Sequence, residues 1–367
     1  MIASPSPLDL LDSTFPEGAD LGTVRILAPG ERAAPRTDPL SPLLVPLAES
    51  GERDLFALHD PPEAGARSQV VCAVDRETGV WAPLTSTVRG FAAWLLLLRR
   101  AQASLPGHAA FAARELLAET EPAATRLAGS IGLDLGKAVL EPDAPAIADR
   151  LREVDAASPW ACSTLARYAE DPKAATRCLA PALLAAPFSS GLLEQAAELA
   201  LAEGNQKKAV RALLAALSRF EPGQQAAPYR LDEPDEETGA LFEPFRPAMA
   251  FRFLQENVAS VDREARDCVA WQFLSKRLGA GRGCELEVGP ELAIDASRRR
   301  GLGGDLPGGR WILHLALGLA QPAAGRAALL DELARQWELA GSFRVVARSR
   351  ALAAALRATM DADPRVG

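Results

Sequence analysis

Residues 43–98 read LLVPLAESGERDLFALHDPPEAGARSQVVCAVDRETGVWAPLTSTVRGFAAWLLLL. Three short apolar runs, Leu43 to Leu47, Asp54 to Leu58 and Gln69 to Val74, are each bounded by Gly, Pro, Asp or Glu, the usual punctuation of strands. After the third run, Asp75-Arg76-Glu77-Thr78-Gly79 supplies a polar turn whose glycine accepts a positive φ, and Val80-Trp81 opens another extended stretch. Thr85 or Ser86 is placed to cap the helix that follows, from about Val88 to Ala101. On it Phe91, Trp94, Leu95 and Leu98 share one face at i, i+3, i+4, i+7 spacing, so the helix should lie across the sheet and bury it. The expected fold of residues 1–103 is therefore α+β, an antiparallel meander with a covering helix. Trp81 and Trp94 read as core anchors, because aromatic side chains dominate core burial. Nothing in the stretch looks catalytic.

The surroundings add a pattern. Pro16-Glu17-Gly18 precedes Leu21-Gly22-Thr23-Val24-Arg25-Ile26-Leu27; then come Leu44-Val45-Pro46-Leu47-Ala48, Gly51, Asp54-Leu55-Phe56-Ala57-Leu58, Val70-Val71, Gly79-Val80-Trp81 and the helix around Phe91 and Trp94. This order resembles the SUKH superfamily, which contains yeast cell-wall-synthesis regulators and many bacterial immunity proteins that neutralise polymorphic toxins. The resemblance covers about a quarter of the chain. The family's N-terminal helix is shortened here to Leu8-Asp9-Leu10-Leu11, and its frequent acidic or aromatic surface cluster is poorly filled. The family shares no catalytic residues, so the resemblance implies a binding module of immunity or adaptor type and no enzyme.

A chain of 367 residues is too long for one ordinary core and suggests two or three domains. Its net charge of −8 argues against electrostatic capture of nucleic acid, which needs a basic stripe. No apolar run is long enough to cross a bilayer, and residues 1–5 lack the basic and apolar regions of a secretory signal, so no membrane insertion is expected and the expected location is cytoplasmic. Cys72, Cys162, Cys178, Cys268 and Cys284 are widely spaced with no C-x-x-C pair, the pattern of buried small hydrophobes and not of a zinc site or disulfide framework.

From residue 104 to 222 the composition turns to Ala, Leu and Glu with short Pro or Gly breaks, as stacked helix pairs require. Asp171 to Ala180 aligns with Gln206 to Ala215 at a shift of 35, Pro187 and Pro222 close the two units, and Gly204 marks the inter-helix turn of the second. The period resembles tetratricopeptide repeats, though Ala197 and Ala200 stand at aromatic positions of that pattern. Residues 223–247 form an acidic, Pro-rich linker, read as an extended connector. Asp232, Glu233, Asp235, Glu236 and Glu237 within it are the candidate partner-binding residues, able to attract a basic protein such as a toxin nuclease. Residues 248–367 read as a mainly helical domain, with a long helical stretch over Ala248 to Leu278 and helices over Ala323 to Leu339 and Phe343 to Met360. Trp311 to Leu319 fits either a buried strand or a buried helix, with Ala and Leu favouring the helix.

Candidate chemistry is sparse. The cluster Gly301 to Gly309 after Arg298-Arg299-Arg300 lacks the preceding strand and the Walker lysine of a phosphate loop, and reads as a mobile loop. His59, His108 and His314 lie far apart without metal-ligand spacing. His59-Asp60 reads as a surface turn and His314 as a satisfied core residue. No cofactor is expected. The expected function is a non-enzymatic protein-binding protein that neutralises a toxin. The alternatives are a helical-repeat scaffold in a secretion or regulatory assembly, with a secretion component as partner, and an enzyme using the loop at 301–309.

Overall fold

The computed structural model describes residues 8–33, 41–50, 54–61, 69–103, 118–134, 143–225, 245–256, 268–278, 286–319 and 321–362. A single six-stranded sheet runs in chain order and is antiparallel throughout: β1 (Ala19–Asp20), β2 (Arg25–Ile26), β3 (Leu44–Ser50), β4 (Asp54–His59), β5 (Val71–Asp75) and β6 (Trp81–Thr85). Fifteen helices stand among the described residues, and helices predominate after the sheet. Two short ones, α1 (Asp9–Thr14) and α2 (Pro29–Ala33), flank the first strands. Then follow α3 (Val88–Ala103), α4 (Glu121–Ile131), α5 (Ala144–Val154), α6 (Pro159–Arg167), α7 (Pro172–Ala185), α8 (Ser190–Ala202) and α9 (Gln206–Ser218). The chain goes on through α10 (Pro247–Glu256), α11 (Val269–Leu278), α12 (Pro290–Leu302), α13 (Leu306–Leu317), α14 (Ala323–Leu339) and α15 (Phe343–Ala362).

The meander and its covering helix are as expected, with the polar turn closed by Gly79 at φ 71. Asp75 makes that turn, accepting from the Glu77 amide at 2.9 Å and the Thr78 hydroxyl at 2.9 Å. Two prolines lie in strands where a ladder donor is dispensable. Pro83 is in β6, the edge strand, and Pro46 sits at the bulge between Pro46 and Ala48. The cap of α3 is one residue later than expected. Thr87 accepts from the Gly90 amide at 2.9 Å, because β6 keeps the backbone extended through Thr85 and the Ser86 hydroxyl turns to Asp155.

The strands bury both faces, which explains why β5 and β6 read as unbroken apolar runs and not as alternation. On one face Phe56, Val71, Ala73 and Ala82 pack under Phe91 and Trp94 of α3 and are extended by α4 and α5. Phe56 lies 5.3 Å from the Phe91 ring and 5.5 Å from Trp94. On the other face Leu55, Ala57, Cys72, Val74 and Trp81 meet Cys162, Ala166, Leu179, Ala182 and Leu192 of α6, α7 and α8. Both clusters draw on residues before and after position 103. A third, larger cluster runs from α8 through α15 and includes Leu43.

Four antiparallel helix pairs carry the helical part: α6 with α7, α8 with α9, α12 with α13, and α14 with α15. In three of them the residue before the second helix is a side-chain cap. Asp171 accepts from Ala174 N at 2.8 Å, Asn205 from Lys208 N at 3.1 Å and Asp305 from Gly308 N at 2.9 Å. Ser342 holds the same place before α15. Eleven residues on from these four positions stand Ala182, Ala216, Ala316 and Ala353, each with no exposed surface. Four residues on stand Ala175, Ala209, Gly309 and Val346, all buried. Small side chains at these seams let the paired helices approach closely. Aligned on their caps, the first two units repeat at 34 residues, one fewer than the shift of 35 between the aligned segments: Asp171 is a cap, so its counterpart is the cap Asn205 and not Gln206, the first residue of α9.

One further expectation is corrected and others are refined. Gly301 to Gly309 is not a mobile loop but the end of α12, a tight turn and the start of α13. A Cβ on Gly309 would stand 2.9 Å from the Ser297 carbonyl, so the glycines serve helix packing. Trp311 to Leu317 is helical, and the helix starts at Leu306. The described parts of 248–278 are two helices, with 257–267 outside the described residues. The first residues of the Pro-rich connector are docked. Trp81 N donates to Gly223 O at 2.7 Å and Gln225 N to Trp81 O at 2.9 Å, a parallel bridge that covers the β6 edge.

Candidate functional site

The sheet, this docked strap and the helix pairs converge on one buried junction, and three titratable groups expected to be inert or superficial, His59, His314 and Cys72, meet there. His59 ends β4 beside Asp60-Pro61 and was expected at the surface; it is 1% exposed. Its ring lies between Trp81, at 5.4 Å between centroids, and Phe188, at 4.0 Å. Its Nε2 is 2.9 Å from a carboxylate oxygen of Glu221, the residue that opens the strap, while Nδ1 has no hydrogen-bond partner. The indole of Trp81 donates to Pro222 O at 2.9 Å, and the Gln224 amide donates to Phe188 O at 3.1 Å. Strap, β4, β6 and the α7–α8 turn are thus held by one set of contacts.

His314 approaches the same carboxylate from α13. Burial pushes its pKa down to about 4; Glu221 pulls up, the nearby Arg310 pushes down, and the Phe220 backbone adds a hydrogen bond. The imidazole is neutral near pH 7, and its Nε2 lacks a partner, so this core histidine is only half satisfied. The Arg310 guanidinium stacks 4.0 Å over the Trp337 ring. Cys72 is fully buried behind the sheet, where desolvation drives its thiol pKa well upward, with Glu221 adding to it. Burial likewise takes Cys162 up to about 11. Neither presents a thiolate at neutral pH. Cys178 and Cys268 are half-buried free thiols.

The last helix closes the assembly. Arg348 of α15 donates to an Asp60 carboxylate oxygen at 3.0 Å and to its carbonyl at 3.2 Å, next to His59. Beside the junction opens a cleft of about 270 Å³, between the β5–β6 turn at Thr78 to Val80, the strap at Phe220 and Pro222 to Gln224, Phe245, and Leu317 to Leu319 with Arg326 and Leu330. Arg326, in the first turns of α14, is the only charged residue between Arg310 and Asp331. That isolation in an apolar stretch is the signal that could have marked it. Glu221 gave no comparable signal, since its partner lies 162 residues away.

Chemically, the junction is a buried His59–Glu221 hydrogen bond flanked by the neutral His314, the Cys72 thiol and the Arg348–Asp60 pair. It can hold three parts of the chain together. Among the described residues no group of three or more His, Cys, Asp or Glu is placed to hold a metal ion. No helix among them is long and apolar enough to cross a membrane. Asp232, Glu233, Asp235, Glu236 and Glu237 lie outside the described residues, as do His108 and Cys284. The ends of that acidic segment are placed together, with Phe245 N donating to Gln224 O at 2.8 Å. No family model, curated protein or solved structure matches the chain.

Proposed function

We propose that this chain is a protein-binding protein of immunity or adaptor type, working without catalysis, and that the turns of its helix pairs form part of the contact surface. The observation that carries this reading is the placement of exposed large apolar side chains. Tyr168, Leu201, Leu302 and Leu339 each stand four or five residues before the start of a pair's second helix, and Phe343 follows the fourth turn. Leu302 is 90% exposed and Phe343 69%. Inter-helix turns are ordinarily polar, and exposed apolar groups repeated at equivalent positions suit a partner and not solvent. The N-terminal resemblance points to the same class, with a toxin as the bound protein, and the net negative charge suits a basic one.

A second reading, a scaffold in a secretion or regulatory assembly, is favoured by the four stacked pairs themselves. One experiment serves both. The products of genes adjacent to this one are co-expressed with the full chain and with the Leu302→Asp, Phe343→Asp double variant, and co-purification is quantified. The expected result is capture of an adjacent product by the parent chain and at least tenfold less by the variant, at unchanged melting temperature. A captured toxin assigns immunity; a captured secretion component assigns the scaffold. Capture that the double substitution leaves intact would remove the turns from the contact surface.

A further inference from the structure

The cleft beside the junction contains a charge that no other described residue answers. Several other buried or half-buried arginines have a partner: Arg32 pairs with Asp12, Arg99 with Glu121, Arg348 with Asp60, and Arg310 lies on Trp337. Arg326 is half-buried at the cleft wall and has no carboxylate, hydrogen-bond or ring partner among the described residues. Burial alone acts on it, lowering its pKa from the ordinary guanidinium value without discharging it. Holding a cation out of water with nothing opposite is unfavourable. A fold that keeps one at the wall of a cavity is preorganised for an anion.

We propose that this cleft binds an organic monocarboxylate with a compact apolar body. The carboxylate pairs with Arg326, and the body lies against Phe220, Phe245, Leu317 and Leu330. A single guanidinium matches one negative charge, and its fork matches the two oxygens of a carboxylate. The lining is more apolar than polar, with one charge, so a bare phosphate would lose its hydration for little recompense. The volume, equivalent to about nine water molecules, fits a group the size of one large side chain. The carboxylate can belong to a free small acid or to the C-terminus of a polypeptide. This site is separate from the helix turns and does not depend on the protein-binding reading.

The test uses the full chain, with calorimetric titration and thermal melting in the presence of N-acetyl-phenylalanine, its amide, a decapeptide ending in phenylalanine, and inorganic phosphate. The free acid is expected to bind and raise the melting temperature, with the amide at least tenfold weaker and phosphate without effect. Binding of acid and peptide alike assigns a chain terminus as the source; binding of the acid alone assigns a small metabolite. Arg326→Met is expected to raise the melting temperature of the unliganded chain, because an unpaired buried charge is gone, and to abolish the response to the acid. Leu319→Trp, which fills the cleft and leaves the guanidinium, is expected to abolish it too. The proposal is overturned if no acid binds, if acid and amide bind equally, if phosphate matches the acid, or if either variant binds as the parent does. Should Arg326→Met fail to fold, the acid–amide ratio on the parent chain and the Leu319→Trp result decide.

Discussion

At the scale of single residues, the junction makes stability depend on pH in a defined direction. His314 is held neutral by burial with a pKa of about 4, against about 6.5 in an unfolded chain. The unfolded state therefore takes up a proton that the folded state refuses. Stability from this group is complete above about pH 6.5 and is lost as pH falls toward 4, on the order of 3 kcal/mol across that window. Urea unfolding midpoints at pH 7.5, 5.5 and 4.5 measure it. His314→Gln should show a clearly shallower fall on acidification than the parent. Equal slopes would mean that His314 does not govern the acid limb. These residues also mark the limit of what the sequence discloses. His59 stands at a strand end beside Asp-Pro-Pro, local features of a surface turn. Its burial follows from Phe188 and Glu221, distant in the chain, and no local pattern encodes them.

At the scale of elements, strands and helices follow closely from composition and spacing. The apolar runs, the Asp75–Gly79 turn and the i, i+3, i+4, i+7 face of α3 locate the meander and its cover to within a few residues. The very short β1 and β2 carry too few residues for any periodicity. The double burial of the sheet was written in the lack of alternation at Val71 to Val74, but a short apolar run does not say what covers it. The strap is the least legible element, since its extended backbone belongs to a Pro-rich, acidic composition, and its docking depends on one residue's freedom. Gly223 has φ 80, and a Cβ there would stand 2.5 Å from the Gly79 carbonyl. Gly223→Ala should cost about 1–3 kcal/mol through backbone strain and displacement of the strap. Hydrogen exchange at the Trp81 amide, which donates to Gly223 O, should speed up in the variant. Unchanged protection there would show that the strap is held from elsewhere.

At the scale of the whole molecule, the sheet and the helix pairs share their interior. Leu55, Ala57, Cys72, Val74 and Trp81 have no covering helix of their own among the described residues of 1–103; they rest on α6, α7 and α8. A fragment ending at residue 103 should therefore expose that face, bind a hydrophobic dye and give poorly dispersed amide spectra, while the full chain does neither. A cooperative unfolding transition in the fragment would show instead that α3 alone suffices. The same arrangement bears on how the protein is made. The strands leave the ribosome first, yet the last residues that blanket their second face, out to Leu192, emerge roughly a hundred residues afterwards, about 5–20 seconds at ordinary elongation rates. Throughout that interval the nascent chain displays a bare indole and a row of aliphatic groups. Translation speed across the α4–α7 codons, and the supply of holdase chaperones, thereby become determinants of yield for this protein.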